Sequence, residues 1–188
     1  MNIFFFGGSF DPPHKAHKLI YKHCLDLCDK FIFIPANRSP IKNKPNSISS
    51  DRLKMLELLI DSQDSKKVSI DDFELKNNSK SFTIDTISYL KNKFSGHSLY
   101  MVIGYDQYKN IEKWKNYQKI ISEVKIVCFM RNNNSFNKKF PATIVDFNYD
   151  ISSTLIRKAF KTNSNDSIKD LMNIKVYDYI IKNGLYRN

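Results

Sequence analysis

The sequence has few cysteines and no long apolar run. Its 188 residues include three cysteines, an odd number without the spacing of a metal site, which favours a reducing, cytoplasmic location. No apolar run approaches the ~20 residues that a membrane span needs, and the N-terminus lacks the basic start and cleavage site of a signal peptide. We therefore expect one soluble domain over residues 1–188, with a sizeable core and no membrane partner.

The sequence also lacks a recognisable nucleic-acid-binding motif, although its net charge is +11. Lysines are spread along the chain, and the dense basic stretches, 38–44 and 138–139, are short. No helix-turn-helix, zinc-finger or RNA-binding pattern accompanies them. We expect most lysines to be solvated surface residues and the positive balance to suit substrates with several phosphates. Nucleic acid is not an expected partner.

Residues 3–17 contain the most informative motif, Ile-Phe-Phe-Phe-Gly-Gly-Ser-Phe-Asp-Pro-Pro-His-Lys-Ala-His. Its apolar start predicts a buried strand, and the glycine pair 7–8 predicts a turn whose backbone a polyanion can approach closely. His14 and His17 stand where a helix should begin, so they share one face and lie near free backbone N–H groups. Together with the Ser9 hydroxyl, these features predict a phosphate site.

Simpler interpretations of the same residues stay open. A glycine pair after a strand is often only a turn. His-x-x-His could be half of a metal site, but zinc usually takes three or four protein ligands, and no third histidine or Cys-x-x-Cys lies nearby. Cys24 and Cys28 are more simply core residues of the same helix. We interpret His23 and His97 as structural and Asp11 as a turn residue.

Apolar and polar residues alternate along the rest of the chain in a way that predicts strands and helices in turn. Strands are predicted at 3–6, 31–34, 68–70, 99–103, 125–130 and 143–147, and helices at 15–27, 50–60, 83–94, 117–121, 154–160 and 176–182. This order indicates an α/β fold, a single Rossmann-like domain with a parallel sheet flanked by helices. Ser50-Asp51 is a candidate N-cap, and Gly184 a candidate C-cap.

Residues with polar or small side chains follow several of these strands. The turn 7–9 follows the first strand, Gly104 and Asp106 follow the fourth, and 152–154 follow the last. In parallel sheets ligands bind at the carboxyl ends of the strands, near the point where the strand order reverses. The three segments are therefore predicted to share one site.

Residues 151–157, Ile-Ser-Ser-Thr-Leu-Ile-Arg, form the second motif. Ser152 or Ser153 could simply cap the helix that begins there. Three consecutive hydroxyls with Arg157 one turn later offer more, because hydroxyls, free N–H groups and a guanidinium can bind phosphate oxygens together. The motif predicts a second part of the anion site.

Together the two motifs closely resemble those of bacterial nicotinate-mononucleotide adenylyltransferases, within the nucleotidyltransferase superfamily. That family has Gly-Gly-x-Phe-Asp-Pro-x-His-x-Gly-His and Ile-Ser-Ser-Thr-x-Ile-Arg. The similarity extends over nearly the whole chain and includes the segments 33–37, 52–56, 81–86, 104–106 with Trp114, and 183–186. The chain departs from the pattern at Ala16, where glycine is usual, at Phe82, where tyrosine is usual, and at Ile41, where histidine is usual. Lys42 then remains as a candidate phosphate contact in that loop.

The resemblance implies an enzyme of NAD biosynthesis. ATP and nicotinate mononucleotide would be its substrates, and nicotinate adenine dinucleotide and pyrophosphate its products. Attack would be direct and in line, without a covalent intermediate, because a phosphate monoester is already an anionic nucleophile. Catalysis then consists of positioning two anions and stabilising the developing charge. Mg²⁺ would accompany ATP without protein ligands, and a homo-oligomer is an open alternative.

The resemblance also implies roles for individual residues. His14, His17 and Arg157 would be catalytic and contact the triphosphate, with His17 nearest the α-phosphate. The other ATP contacts would be Gly7, Gly8, Ser9, Phe10, Gly104, Asp106, Ser152, Ser153 and Thr154, and the pyridine nucleotide would contact Thr83, Thr86 and Trp114. From the residues alone, Trp114 could equally be a core aromatic and Asp106 a helix cap.

Two other functions stay open. Phosphopantetheine and cytidylyl transferases share the fold, but they normally have threonine in place of His14 and lack the Gly-x-Asp…Trp and Gly-Leu-Tyr segments. A basic nucleotide- or RNA-binding module could use the fold without catalysis. The presence of His14, His17 and Arg157 argues against that second alternative.

Overall fold

The computed structural model describes residues 1–37, 45–76, 82–130 and 139–187, apart from the side chain of Asn165. Ile41 and the candidate phosphate contact Lys42 lie outside the described residues, as do both short basic stretches except Lys139. Within the described part of the chain, no helix is long and apolar enough to cross a bilayer.

Strands and helices alternate through the described residues. The strands are β1 Asn2–Gly8, β2 Lys30–Pro35, β3 Val68–Ile70, β4 Ser98–Gly104, β5 Lys125–Met130 and β6 Thr143–Asp146. The helices are α1 Lys15–Cys24, α2 Ser49–Leu59, α3 Phe73–Lys76, α4 Thr83–Lys93, α5 Tyr105–Lys109, α6 Tyr117–Glu123, α7 Ser153–Lys161 and α8 Ile174–Lys182. Short 3₁₀ turns cover Ser62–Asp64, Ile111–Lys113 and Asn165–Leu171.

The six strands form one parallel sheet in the order β3-β2-β1-β4-β5-β6. The chain moves outward from β1 to β3 and then returns to the other side of β1 as β4, so the strand order reverses between β1 and β4. The ends of these two strands, at Gly8 and Gly104, therefore border a crevice at the carboxyl edge of the sheet. The predicted α/β fold with a parallel sheet is confirmed.

The core has two layers because successive residues of a strand point to opposite faces of the sheet. Phe4 and Phe6 of β1 pack on one face with α1, α2, α7 and α8. Ile3 and Phe5 pack on the other face with α4, α5 and α6. Burial on both faces explains why the sheet strands are nearly continuous apolar runs. The packing of both layers also fixes the positions of the strand ends at the carboxyl edge of the sheet.

Some predicted boundaries were wrong. The glycine pair 7–8, predicted as a turn, is the end of β1 and pairs with β2. The first helix ends at Cys24 and not at residue 27, so Leu27 is 48% exposed and Cys28 is buried outside the helix. The N-cap of α2 is Ile48, without a side-chain hydrogen bond, so Ser50-Asp51 does not cap it. The short helix α3 was not predicted, since its four residues are too few for a periodic pattern.

The end of α8 has the hydrogen bonds of a Schellman motif. Gly184 N–H donates to the carbonyl of Ile181, and Leu185 N–H donates to that of Ile180. Gly184 has φ +61 and lies one residue after the C-cap, Asn183, the position where glycine is favoured because it has no Cβ. This turn directs the last residues of the chain back toward the sheet edge.

Candidate active site

A cavity of about 660 Å³ opens at the carboxyl ends of β1 and β4. All the residues that the sequence predicted for catalysis and ATP binding line it: Gly7, Gly8, Ser9, Phe10, His14, His17, Gly104, Asp106, Ser152, Ser153, Thr154 and Arg157. Phe129, Phe147 and Ile151 add apolar wall, and Pro45, Asn46 and Gln107 complete the rim. Two motifs at opposite ends of the chain therefore meet on one cavity at the switch point of the sheet.

The turn after β1 depends on a close contact between Gly8 and Phe10. A Cβ at position 8 would lie 3.1 Å from the Phe10 ring, closer than ordinary packing allows. Phe10 has φ +49, and its buried ring packs edge-on against Phe6 and Phe33. The phenyl ring thus supports the turn from within the core and leaves its backbone facing the cavity.

His14 and His17 form a fixed pair at the start of α1. His14 is the N-cap residue, and its backbone N–H donates to Nδ1 of His17 at 3.1 Å. The two rings stack with centroids 3.8 Å apart, and the His17 ring meets the edge of Phe10 at 5.1 Å. Because Nδ1 of His17 accepts a hydrogen bond, the neutral ring carries its proton on Nε2, which can donate to a ligand.

The N-terminal turn of α1 also borders the cavity, since His14, Ala16 and His17 all line it. The partial positive charge of a helix start favours an anion there. Ala16 is 4% exposed, so its methyl group is packed and the departure from glycine is accommodated in the wall.

Residues of the second motif hold the first motif directly. Ser152 is the N-cap of α7, and its Oγ accepts from the N–H of Leu155 at 3.2 Å. Ser153 Oγ donates to the carbonyl of Pro12 at 2.9 Å. Arg157 donates from Nη1 to the carbonyl of Asp11 at 2.7 Å and from Nη2 to Thr154 Oγ1 at 3.3 Å. Ser152 therefore caps the helix and lines the cavity, and Arg157 is held at its edge by the turn opposite.

Three residues that support the site were not predicted from the sequence: Asp11, Arg52 and Tyr186. Arg52 is 2% exposed and donates to the carbonyls of Ser9 and Ala36 at 3.0 and 2.6 Å, which ties the ends of β1 and β2 together. Burial lowers the pKa of Arg52, and the nearby Asp11 carboxylate opposes that shift. One signal was available, because Arg52 precedes the buried Met55 and Leu56 at helical spacing.

The three residues predicted for the pyridine nucleotide lie apart from the lining of this cavity, as far as the described residues define it. Thr83 begins α4. Thr86 is 2% exposed, and its hydroxyl donates to Oε1 of the buried Glu74 at 2.6 Å. Trp114 is half-buried and packs with Phe82 against the core layer under α4 and α6. Thr83 and Thr86 thus lie in the first turn of α4, and Trp114 packs in the core layer on the same face of the sheet, opposite to α1.

Comparison with known proteins gives concordant results. Residues 5–159 match the family model described as cytidylyltransferase-like. A Leptospira interrogans protein named "Probable nicotinate-nucleotide adenylyltransferase" is 36% identical over 195 residues, which cover 96% of this chain and 94% of that protein. A protein of the same name from Hydrogenobaculum is also 36% identical, over 99% and 98% of the two chains.

A solved structure is similar over nearly the whole length. It is the Plasmodium falciparum nicotinic acid mononucleotide adenylyltransferase complexed with NaAD, with a TM-score of 0.83 and 25% identity. The match covers 98% of this chain and 97% of that one. Sequence relatives and structural neighbours thus agree with each other and with the two motifs that meet at the cavity.

Proposed function

We infer that this chain, which belongs to the nicotinate-nucleotide adenylyltransferase family, transfers the adenylyl group of ATP to nicotinate mononucleotide. Nicotinate adenine dinucleotide and pyrophosphate are the products, as in NAD biosynthesis. The observation that carries this inference is the meeting of the two motifs, in which Arg157 donates to the Asp11 carbonyl at 2.7 Å beside the paired imidazoles. The cavity so formed holds donors and positive charge at the carboxyl edge of a parallel sheet.

The reaction requires no covalent bond between the protein and its substrates. The phosphate of a mononucleotide is ionised near neutral pH, so it can attack the α-phosphorus of ATP without a general base. The rate then depends on in-line positioning and on stabilising charge at the α-phosphate and the departing pyrophosphate. The donors and positive charge that stabilise it come from Nε2 of His17 and the N-terminus of α1, and from the Arg157 guanidinium of α7.

We assign roles on the ATP side from this arrangement. His17 contacts the α-phosphate, while His14 and Arg157 contact the phosphates that leave. Gly7 and Gly8 at the end of β1 and the following Ser9, supported by Phe10, hold the triphosphate close to the backbone. Ser152, Ser153 and Thr154 face the nucleotide across the cavity. Gly104 and Asp106 bind adenosine. The Asp106 side chain is 87% exposed, so its carboxylate is accessible to ribose hydroxyls.

The pyridine nucleotide side belongs to the same proposal. Thr83 at the start of α4 and the half-buried Trp114 would contact nicotinate mononucleotide, with the indole as a platform for the ring. The Thr86 hydroxyl donates to Glu74, so its oxygen remains as an acceptor and its main role is to fix the first turn of α4. Lys42, outside the described residues, stays a predicted phosphate contact.

Nucleotidyltransferases of this type generally use a divalent metal with ATP. Among the described residues no cluster of three or more acidic, histidine or cysteine side chains is arranged to hold an ion. The two oxygens of Asp11 are already engaged by hydrogen bonds, which leaves the exposed Asp106 as an acidic group on the cavity wall. One exposed carboxylate is compatible with a Mg²⁺ ion that is held by the ATP phosphates and water. That ion would offset charge on the departing pyrophosphate.

A cytoplasmic location is also part of the proposal. The three cysteines are buried and free, and burial raises the pKa of Cys24 and Cys128 to about 12 and that of Cys28 to about 11. Such thiols stay protonated and unreactive near neutral pH. A fold that keeps three unpaired thiols in its core suits a reducing compartment.

The test is a side-by-side adenylylation assay with Mg-ATP and three acceptors: nicotinate mononucleotide, nicotinamide mononucleotide and phosphopantetheine. We expect pyrophosphate release and a dinucleotide product with the pyridine nucleotides, and none with phosphopantetheine. Preferred adenylylation of phosphopantetheine would reject the assigned substrate. ATP binding without product from any acceptor would favour a non-catalytic nucleotide-binding module.

A further inference from the structure

Asp11 links three distant segments beneath the turn after β1. Asp11 is 3% exposed. Oδ2 accepts from the Asn46 N–H at 2.6 Å, and Oδ1 accepts from the Ser47 hydroxyl at 2.5 Å and from the Tyr186 hydroxyl at 2.7 Å. The Tyr186 hydroxyl oxygen also lies 3.1 Å from Ser47 Oγ. A buried carboxylate needs such donors to offset its lost hydration, so the four groups form one connected cluster.

The backbone of the same residue holds Arg157. The Asp11 carbonyl accepts from Arg157 Nη1 at 2.7 Å, and Asn46, anchored by the Asp11 carboxylate, lines the cavity. The side chain and carbonyl of Asp11 thus connect the C-terminal Tyr186 to the guanidinium at the cavity edge. A change in the orientation of Asp11 would change the direction in which that guanidinium points.

Tyr186 is brought to this cluster by the end of α8. It follows the Schellman turn at Gly184 and has φ +64, a left-handed conformation that costs a non-glycine residue energy. Burial and the adjacent Asp11 carboxylate raise the pKa of Tyr186 well above its usual value, so the hydroxyl remains a donor. The hydrogen bonds of the Tyr186 side chain offset the energy of its left-handed backbone. This indicates that the hydroxyl is held in a specific place.

We propose that Tyr186 is a positioning residue for ATP, acting through Asp11 on the guanidinium of Arg157. The inference rests on the proposed function, in which Arg157 contacts the triphosphate. Tyr186 itself does not line the cavity, within the residues that the structure describes. Its effect is therefore on how well the guanidinium is oriented and not on the reacting atoms.

The test is the variant Tyr186→Phe, which removes only the hydroxyl. A matched control is Tyr179→Phe, because the Tyr179 hydroxyl, on α8 just before the turn that leads to Tyr186, also donates to a carboxylate, Asp51 Oδ1 at 2.8 Å. Neither Tyr179 nor Asp51 lines the cavity. Calorimetric titration of the full chain with a non-hydrolysable ATP analogue gives Kd without a second substrate. Steady-state kinetics give KM for each substrate, and thermal unfolding reports the folded fraction.

We expect Tyr186→Phe to weaken binding of the analogue and to raise KM for ATP by about fivefold. That is the effect of about one hydrogen bond between the Arg157 guanidinium and the phosphates, which a misdirected guanidinium would lose. KM for nicotinate mononucleotide should stay unchanged, and Tyr179→Phe should change neither constant. A general loss of folded protein would lower the active concentration and leave Kd unchanged, so this split separates positioning from stability.

A second variant, Arg157→Lys, tests the route of the effect. In the Arg157→Lys background, Tyr186→Phe should cause little further loss, because no guanidinium is left to orient. An additive loss, an unchanged Kd in Tyr186→Phe, or an equal loss in Tyr179→Phe would overturn the inference. If the wild-type chain makes no dinucleotide, but the analogue binds it and Tyr186→Phe raises the Kd while Tyr179→Phe does not, the proposed function fails and the positioning role of Tyr186 stands.

Discussion

The backbone N–H of His14 donates to Nδ1 of His17, and the two imidazoles stack with centroids 3.8 Å apart. This contact fixes the orientation of the His17 ring and places the exchangeable proton of the neutral ring on Nε2. A donor with a fixed direction stabilises developing charge better than a mobile one, because no reorganisation is needed as the charge forms. The pair therefore makes His17 the residue whose replacement tests the site most directly.

Replacing His17 by Ala should lower kcat by ~10²-fold or more while the protein remains folded, because it removes a donor to the transition state. Steady-state kinetics and circular dichroism measure the two effects. His97→Ala is the control, since His97 is not among the described residues that line the cavity. Near wild-type turnover in His17→Ala would remove this motif from catalysis.

Two further variants test which nitrogen of His17 acts. In His17→Gln the side-chain amide can reach the place of Nε2, whereas in His17→Asn it can replace only Nδ1 and its bond to His14. If Nε2 is the donor, His17→Gln should retain more activity than His17→Asn. The reverse order would assign the function to the nitrogen that accepts from His14.

Arg157→Lys should raise KM for ATP roughly tenfold, and Arg157→Ala should raise it further. The guanidinium donates from separate nitrogens to the Asp11 carbonyl and to Thr154 Oγ1, and Arg157 lines the cavity. A single ammonium cannot reproduce that geometry. Lys161→Ala, at the exposed end of the same helix, is the control. Unchanged ATP kinetics in both Arg157 variants would leave Arg157 without a role in ATP binding.

Arg52→Met should destabilise the fold by about 3 kcal/mol, because the buried carbonyls of Ser9 and Ala36 lose their donor. Urea denaturation measures the free energy of unfolding. Lys54→Met, on the exposed face of α2 where Lys54 pairs with Glu57, should cost no more than about 1 kcal/mol. Equal effects of the two substitutions would show that the Arg52 contacts contribute nothing specific.

The three thiols should be unreactive in the folded protein at pH 8. Burial raises the pKa values of Cys24, Cys28 and Cys128, and a thiol reagent needs both the thiolate and access to it. Titration with a chromogenic disulfide should show slow reaction in buffer and reaction of all three thiols in guanidinium chloride. Rapid labelling of the native chain would contradict the buried positions.

The parts of the fold that were predicted from the sequence are those that depend on local pattern. Continuous apolar runs predicted the strands of the sheet, and the alternation of strands and helices predicted their parallel arrangement. Arg52 and Asp11 were not recognised as supports of the site because their partners lie far away in sequence; Asp11 and Tyr186, for example, are 175 residues apart. Periodicity reports burial of apolar residues, and it carries no information on which distant carbonyl a buried arginine reaches.

The same limit applies to Thr86. The contact between Thr86 and the pyridine nucleotide that the resemblance implies stays a prediction. What the local pattern could not indicate is the hydrogen bond from its hydroxyl to Glu74, twelve residues away in sequence. Glu74 belongs to α3, the short helix that pattern reasoning missed. The helix start at Thr83, by contrast, was predicted correctly from the local sequence.

The last prediction concerns the choice of pyridine nucleotide. Nicotinate and nicotinamide mononucleotides differ by a carboxylate in place of a neutral amide on the same ring. Donors without acceptors at that position favour the carboxylate, since an amide NH₂ would meet another donor. The start of α4 offers such donors, because a helix begins with N–H groups that have no partner within the helix, together with partial positive charge. These groups belong to the main chain, so Phe82 in place of tyrosine does not remove them.

We therefore predict that nicotinate mononucleotide is favoured over nicotinamide mononucleotide by at least about tenfold in kcat/KM, or about 1.4 kcal/mol. Thr83→Pro removes one N–H at the first helical position, where proline fits a helix, and the extended backbone of Phe82, with ψ of 141°, suits a residue before proline. That variant should bring the two substrates closer to parity, whereas Thr83→Ala, which keeps the N–H, should retain the preference. Equal or better use of the amide by the wild-type enzyme would reject this selection while leaving family membership intact. A preference that survives in Thr83→Pro would instead place the selective donors at another position, because the N–H removed is then not one that the carboxylate needs.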